Sequence, residues 1–171
     1  MFENDLTIVG KHATYTRFLV NEVSLFKRYI DVYMNGAIFG FLYGRKGEKD
    51  KESSDRANIL AGAFITERTR CDFIYRLIML LDETSNLTVE QRIDRAFRDD
   101  AQSTKSEKQT ANMELFNSYV LGGIEELYEK FTEDCTTKED YIDKIYEIVS
   151  NFKEEIEGVE YNDKIKEVIE G

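Results

Sequence analysis

The sequence contains no proline, one histidine and two cysteines among its 171 residues. The single histidine, His12, excludes every site that needs two, including histidine-rich zinc sites and the metalloprotease helix motif. Cys71 and Cys135 stand 64 positions apart, outside any C-x-x-C pattern. Two thiols form no disulfide framework for a domain of this size. We therefore expect no metal, no other cofactor and a reducing, cytoplasmic environment.

Long uncharged stretches are also scarce. The longest, Val32 to Gly44, has 13 residues, whereas a helix that crosses a membrane needs about 20. The opening segment, Met1 to Asp5, has neither the basic nor the apolar region of a secretory signal. We expect a protein that stays in the cytoplasm and has no membrane partner.

Excess positive charge is missing, and the negative charge is unevenly distributed. The formal net charge is −11. Residues 1–110 contain 17 Lys and Arg against 17 Asp and Glu, while residues 111–171 contain 6 against 17. Because phosphate binding needs clustered Lys and Arg, we do not expect direct nucleic-acid binding. The acidic part suits a basic protein partner, since opposite surface charges steer association.

Apolar residues recur every three or four positions along most of the chain, which is typical of amphipathic helices. One such pattern runs from Tyr15 to Phe41, as one long helix or two in succession, and another covers Arg70–Leu81. The core positions predicted for the second pattern are Phe73, Ile74, Leu77, Ile78 and Leu81. We predict a single all-α bundle of about six helices, to which Asp5–Gly10 could add a short strand.

Capping residues and glycines refine this prediction. Ser53, Ser54 or Asp55 is predicted to cap a helix. The inner face expected for that helix consists of Ile59, Leu60, Ala63 and Phe64. Thr88 and Gln91 fit a capping box for a helix over Val89–Asp99. Its expected inner face consists of Ile93, Ala96 and Phe97. Three glycines spaced four apart are expected to let another backbone approach closely: Gly36, Gly40 and Gly44.

The last third of the chain predicts an acidic helical hairpin. Residues 99–110 lose all periodicity and are expected to form a loop or disordered connector after the charge-neutral part, 1–98. Apolar stripes then run over Met113–Phe131 and Tyr141–Ile156, and Thr136–Glu139 between them provides a new cap. A short connection favours antiparallel packing, and 162–170 is expected to form a short last helix.

Two sets of charged residues are candidates for binding a partner. The first set is spaced three residues apart and consists of Arg92, Arg95 and Arg98. These arginines are expected to share one helical side, which either pairs with the acidic hairpin or meets a partner. The second set comprises Glu126, Glu129, Asp140 and Asp143. Its E-x-x-E and D-x-x-D spacing is similar to the magnesium ligands of all-α nucleotide pyrophosphatases. These carboxylates lie off the apolar stripes, which favours a solvated face over a metal site.

Neither nucleophile candidate is expected to be catalytic. His12 is expected to be exposed or to cap a helix, because no nucleophile elbow or family signature accompanies it. Cys71 follows Arg70, which would activate an exposed thiol, but a cysteine beside helical core positions is more often a small buried hydrophobe. We expect no catalytic residue.

Four segments share one resemblance: Lys11–Tyr15, Phe26–Tyr33, Gly36–Gly40 and Phe116–Glu125. They resemble small helical proteins encoded beside bacterial DNA phosphorothioation (dnd) defence systems. The resemblance brings no catalytic residues, and it implies an accessory role in a prokaryotic anti-phage gene cluster. We therefore favour a non-enzymatic adaptor that binds a protein. The alternatives are an acidic nucleic-acid mimic that inhibits a DNA-binding protein and a magnesium-dependent nucleotide pyrophosphatase.

Overall fold

The computed structural model describes residues 2–50, 52–99 and 107–157, and residue contacts divide the chain into two units, Met1–Lys130 (unit 1) and Phe131–Gly171 (unit 2). In chain order the described elements are β1 Leu6–Val9, α1 Lys11–Arg17, α2 Tyr29–Leu42, β2 Arg56–Ile59, α3 Ala61–Thr66, α4 Arg68–Leu81, α5 Val89–Phe97, α6 Glu107–Thr132 and α7 Lys138–Glu157. The predicted helical class and the short N-terminal strand are confirmed. Within these ranges no helix is both long and apolar enough to cross a membrane.

The N-terminal strand has a partner that local sequence patterns did not reveal. β1 pairs antiparallel with β2, with Leu6 opposite Ile59 and Val9 opposite Arg56. The predicted helix after Ser53–Asp55 is therefore wrong over residues 56–59, and the helix begins only at Ala61. Of its expected inner face, Ile59 and Phe64 are buried while Leu60 is exposed. A segment of only four residues is too short for its apolar spacing to distinguish a strand from a helical turn.

The periodic run from Tyr15 to Phe41 forms two helices in succession, one of the two predicted arrangements. α1 continues into a π-helical turn over Phe18–Glu22, and the chain reverses through Ser24, which has a φ of 56°. α2 then begins at Tyr29, after Arg28 in extended conformation. Leu19 and Ile30 are both buried, so the interruption keeps the apolar side facing inward.

α2 and α6 cross at glycines. A Cβ atom on Gly40 would lie 1.9 Å from the carbonyl oxygen of Tyr119, and one on Gly123 would lie 1.8 Å from that of Gly36. Only glycine fits at this spacing, so the predicted close approach at Gly36 and Gly40 is confirmed. At Gly44 the prediction is wrong: a Cβ there would meet nothing within 4 Å, and its φ of 62° ends the helix in the left-handed region.

α4 is rotated relative to the prediction. Ile74 and Ile78 are buried as expected, but Phe73, Leu77 and Leu81 are 64%, 41% and 48% exposed. The buried side contains instead Cys71, Tyr75 and Met79. Apolar residues occupy both sides of this helix, so their spacing alone permits two inner faces. Long-range contacts select the one in which the ring of Tyr75 packs edge-on against Phe116, with 5.5 Å between centroids.

α5 begins at the predicted cap. The Thr88 side chain accepts from the Gln91 amide and the Gln91 side chain accepts from the Thr88 amide, which confirms the capping box. Ala96 is buried as predicted, but Ile93 and Phe97 are exposed, because the side facing α4 also contains Arg95. The apolar inner face expected for α5 is therefore partly wrong.

α6 begins at Glu107, inside the predicted connector 99–110, while residues 100–106 lie outside the described part. The apolar stripe predicted for α6 is buried from Phe116 to Phe131. α7 begins at the predicted cap, since the Asp140 amide donates to Thr137 Oγ1. Three residues of the α7 stripe are exposed rather than buried: Ile142, Tyr146 and Val149. The side chains of Phe152 and Ile156, and the helix expected over 162–170, also lie outside the described residues.

Candidate protein-interaction surface

The start of α1 and the middle of α6 meet in a cluster of charged side chains. Glu125 Oε1 accepts from His12 Nε2 at 2.8 Å and lies 2.9 Å from Lys11 Nζ. Arg45, in the loop after α2, donates to Glu125 Oε2 at 2.9 Å. The same guanidinium donates to Glu126 at 3.1 Å and to Glu129 at 2.6 Å. The carboxylates of α6 and the cations around them thus neutralise one another inside unit 1.

The expectation that His12 is exposed or caps a helix is wrong, because its ring is fully buried. Burial lowers its pKa below the usual value, against the opposing hydrogen bond to Glu125, so the ring is neutral. Burial also disfavours ionisation of Glu125. The hydrogen bonds from Lys11, His12 and Arg45 outweigh that effect and lower its pKa. This arrangement stabilises a carboxylate and leaves a neutral imidazole as a hydrogen-bond donor.

A second polar cluster joins α4, α5 and α6 around the buried carboxylate of Asp82. Tyr119 OH donates to it at 2.6 Å, Ser85 Oγ at 2.8 Å and Arg95 Nη1 at 3.1 Å. Burial opposes its ionisation, but these bonds and one from Thr84 hold the pKa of Asp82 well below its ordinary range. Burial and the bond to Asp82 raise the pKa of Tyr119 to about 12. At neutral pH Asp82 is therefore a carboxylate anion whose hydrogen-bond donors include the Arg95 cation.

The three arginines expected to share one helical side differ in burial and in their partners. Arg95 is 3% exposed and donates to the carbonyl oxygen of Met79 at 2.9 Å, which satisfies the C-terminal end of α4. Arg92 donates to Glu83 at 2.9 Å. Arg98 forms an ion pair with Asp94 one turn away. The interpretation that this set pairs with the acidic hairpin is wrong, because these partners lie between residues 79 and 94.

The four acidic candidates also have different roles. The prediction that Glu126 is solvated is wrong, because Glu126 and Glu129 both form ion pairs with Arg45. Asp140 Oδ2 accepts from the amides of Thr136 and Thr137 at 2.9 Å and 2.7 Å, and these bonds lower its pKa to about 2. Asp143 is exposed. Across the described ranges, no group of three or more His, Cys, Asp or Glu side chains is placed to hold a metal ion.

Cys71 is buried in α4, as predicted. Burial raises the pKa of its thiol to about 11, so the thiol stays protonated at neutral pH. Arg70 does not activate it, since its guanidinium is exposed and bonds to Glu67 at 3.2 Å. Cys71 therefore acts as a small core side chain.

The outer side of α4 presents an uncovered apolar surface, which we call the α4 face. It consists of Phe73, Leu77 and Leu81, which are spaced four apart and so form one stripe. A shallow groove beside it, between α2 and α4, is lined by Met34, Ile38, Phe73 and Ile74 among others. On the opposite side, the exposed ring of Phe97 in α5 lies 5.5 Å from the guanidinium of Arg76. Exposed apolar side chains thus occur on α2 at the groove, on α4 and on α5.

Arginines border the α4 face. Arg70 lies at the groove, and Arg76 donates to the carbonyl oxygen of Ala96 at 2.6 Å while covering Phe97. α4 contains three Arg and one Asp, so the helix that supplies the face has a net charge of +2. Large exposed apolar patches with a polar rim are typical of sites where proteins bind each other.

No protein-family model, curated protein or solved structure matches this chain. The geometry of the described residues is therefore the basis for any functional assignment. Among the described residues of unit 1, the α4 face leaves large apolar side chains exposed to solvent, whereas the charged clusters are held in internal pairs.

The α4 face was not predicted, because the apolar spacing of α4 places Phe73, Leu77 and Leu81 in the core. A signal was present, since α4 has more apolar positions than one buried side can hold. The excess of large apolar residues on a helix that also contains Arg70 and Arg76 indicates a second contact surface. The cluster around Glu125 had no comparable local signal, because Arg45 is 80 positions away along the chain.

Proposed function

We propose that this protein is a non-enzymatic adaptor that binds another protein through the α4 face. The observation that carries the proposal is the exposed stripe of Phe73, Leu77 and Leu81. Complete burial of such a side chain is worth about 1.5 to 3 kcal/mol relative to full exposure. Because these three are 41% to 64% exposed, a bound partner that covers them recovers roughly half of that free energy for each.

The polar clusters support the same proposal. The side chains that enzymes use most often are held in internal pairs: His12 with Glu125, Tyr119 with Asp82, and the carboxylates of α6 with Arg45. The pKa shifts of His12, Glu125, Asp82 and Tyr119 favour the protonation state that each has in these pairs. Such networks fix the positions of helices, which a rigid binding surface needs.

The resemblance to proteins of dnd gene clusters supports a place for this adaptor in prokaryotic anti-phage defence. The basic partner expected from charge alone suits unit 2, which contains 5 Lys and Arg against 13 Asp and Glu. The α4 face, with its arginine border, suits an apolar surface with acidic neighbours.

The test is a nuclease-treated, tagged pull-down from the native host with wild type and two variants. Leu77→Glu places a charge in the centre of the α4 face, whereas Leu60→Glu places the same charge at an exposed leucine in the β2–α3 connection. We expect a stoichiometric partner with wild type and Leu60→Glu and its loss with Leu77→Glu, while the melting temperatures stay equal. A partner retained by Leu77→Glu would refute the proposal.

A further inference from the structure

The helix α7 has an uncovered apolar stripe of its own. Ile142, Tyr146 and Val149 are 65%, 76% and 57% exposed and follow one another at intervals of four and three residues. An isolated helix is marginal in water, and most helical stability in proteins comes from packing of the apolar side. The stripe therefore needs a surface to cover it.

The charges of α7 and α4 are opposite. α7 contains three Lys against seven Asp and Glu, a net charge of −4, whereas the net charge of α4 is +2. Glu139 and Asp143 are exposed and, at helical spacing, flank the α7 stripe on one side. Arg70, which also bonds to Glu67, and Arg76 border the α4 face on its two sides. Pairing of α7 with another α7 would instead bring like charges together.

The lengths of the two stripes also match. At 1.5 Å per residue, Phe73 to Leu81 spans about 12 Å and Ile142 to Val149 about 10 Å. Side chains at such intervals are the anchors by which an amphipathic helix lies in an apolar groove.

From this complementarity we infer that α7 of a second copy of this chain lies on the α4 face. Because each copy presents both surfaces among its described residues, two copies can form two equivalent contacts of this kind. The inference rests on the proposed function, since it takes the α4 face to be a protein-binding surface. It adds a form of regulation, because an external partner must displace α7 of the second copy.

The test measures the oligomeric state of the purified full chain by sedimentation equilibrium over a range of concentrations. Two variants break the contact from opposite sides: Leu77→Glu sets an acid against acidic α7, and Tyr146→Lys sets a cation against the arginine border. We expect a wild-type dimer, a dissociation constant raised at least about tenfold in each variant, and no change in Leu60→Glu. Raising the salt concentration should weaken the wild-type dimer.

An equimolar mixture of the two variants gives the decisive result. The Leu77→Glu chain supplies an intact α7 to the intact face of the Tyr146→Lys chain, so the mixture should dimerise again. Three results would overturn the inference: a monomeric wild type, a dimer that survives either substitution, or a mixture that stays monomeric. Phe73→Glu and Ile142→Lys repeat the test if either first variant fails to fold.

The two proposals fail in different ways. A monomeric wild type whose host partner is lost with Leu77→Glu would remove the second copy and leave the adaptor role intact. The opposite result is a dimer that depends on both surfaces, together with a pull-down in which no host protein is lost with Leu77→Glu. That result would support self-association and remove the adaptor role.

Discussion

The α2–α6 crossing and the α4 face are both apolar helical surfaces of unit 1, but only the crossing is covered. At the crossing, glycine removes side chains so that two backbones touch, with Gly123 against Gly36. On the α4 face, large side chains such as Phe73 and Leu77 point into water beside arginines. Small residues therefore let the α2–α6 crossing be covered within the chain, while the large residues of the α4 face remain available to another molecule.

The largest expected effect tests the covered surface. In Gly123→Ala the new methyl group would lie 1.8 Å from the carbonyl oxygen of Gly36, so the helices must separate. We expect a loss of about 3 kcal/mol or more in the free energy of unfolding, measured by urea denaturation.

Gly62→Ala is the matched control for that substitution. A Cβ atom at Gly62 would meet nothing within 4 Å, and the residue lies inside α3. Alanine there should leave stability unchanged or raise it by up to about 1 kcal/mol. Equal stability of Gly123→Ala and wild type would contradict the description of the crossing.

The next effect separates buried from exposed arginines on α5. Arg95→Ala leaves the buried carboxylate of Asp82 with only the more distant Lys46 Nζ at 3.9 Å, and the carbonyl oxygen of Met79 without its donor. We expect a loss of about 3 to 5 kcal/mol in the free energy of unfolding. Arg98→Ala removes only an exposed ion pair with Asp94 and should cost about 0.5 kcal/mol or less. Similar losses in the two variants would show that Arg95 does not lie inside.

The smallest effect concerns pH. Because burial lowers the pKa of His12 below its ordinary value of 6.5, the unfolded chain binds a proton at higher pH than the folded one. The contribution of neutral His12 to the free energy of unfolding is complete above about pH 6.5 and is lost as the pH falls toward the lowered pKa of the folded state. NMR titration of this one imidazole should give a midpoint below 6.5, with the proton of the neutral ring on Nε2.

His12→Gln keeps a donor for Glu125 but cannot titrate in this range. Its unfolding free energy should therefore depend less on pH than that of wild type in the region below about 6.5. An unshifted or raised midpoint for His12 in wild type would contradict the buried neutral state.

Local features of the fold could be predicted from the sequence. The capping boxes at Thr88 and Thr137 depend on side chains three residues apart, and the close approach at Gly40 depends on the size of one residue. The helical class follows from apolar spacing. These features need no knowledge of distant parts of the chain.

Features that depend on distant contacts could not be predicted. β2 is a strand because Arg56–Ile59 pairs with residues about 50 positions earlier. The buried His12 bonds to Glu125, which lies 113 positions later in the chain, and Arg45 bonds to the same carboxylate from another element. The candidate site was missed for a related reason: with apolar residues on both sides of α4, only the tertiary contacts of Tyr75 decide which side is inside.

The central claim, that another protein covers the α4 face, is tested most directly by photo-crosslinking in the native host. A photoreactive amino acid would replace Leu77 in one strain and Leu60 in another, because both positions are exposed and only Leu77 belongs to the face. We predict a discrete crosslinked product from position 77 and none from position 60. No product from position 77, or the same products from both positions, would contradict the claim.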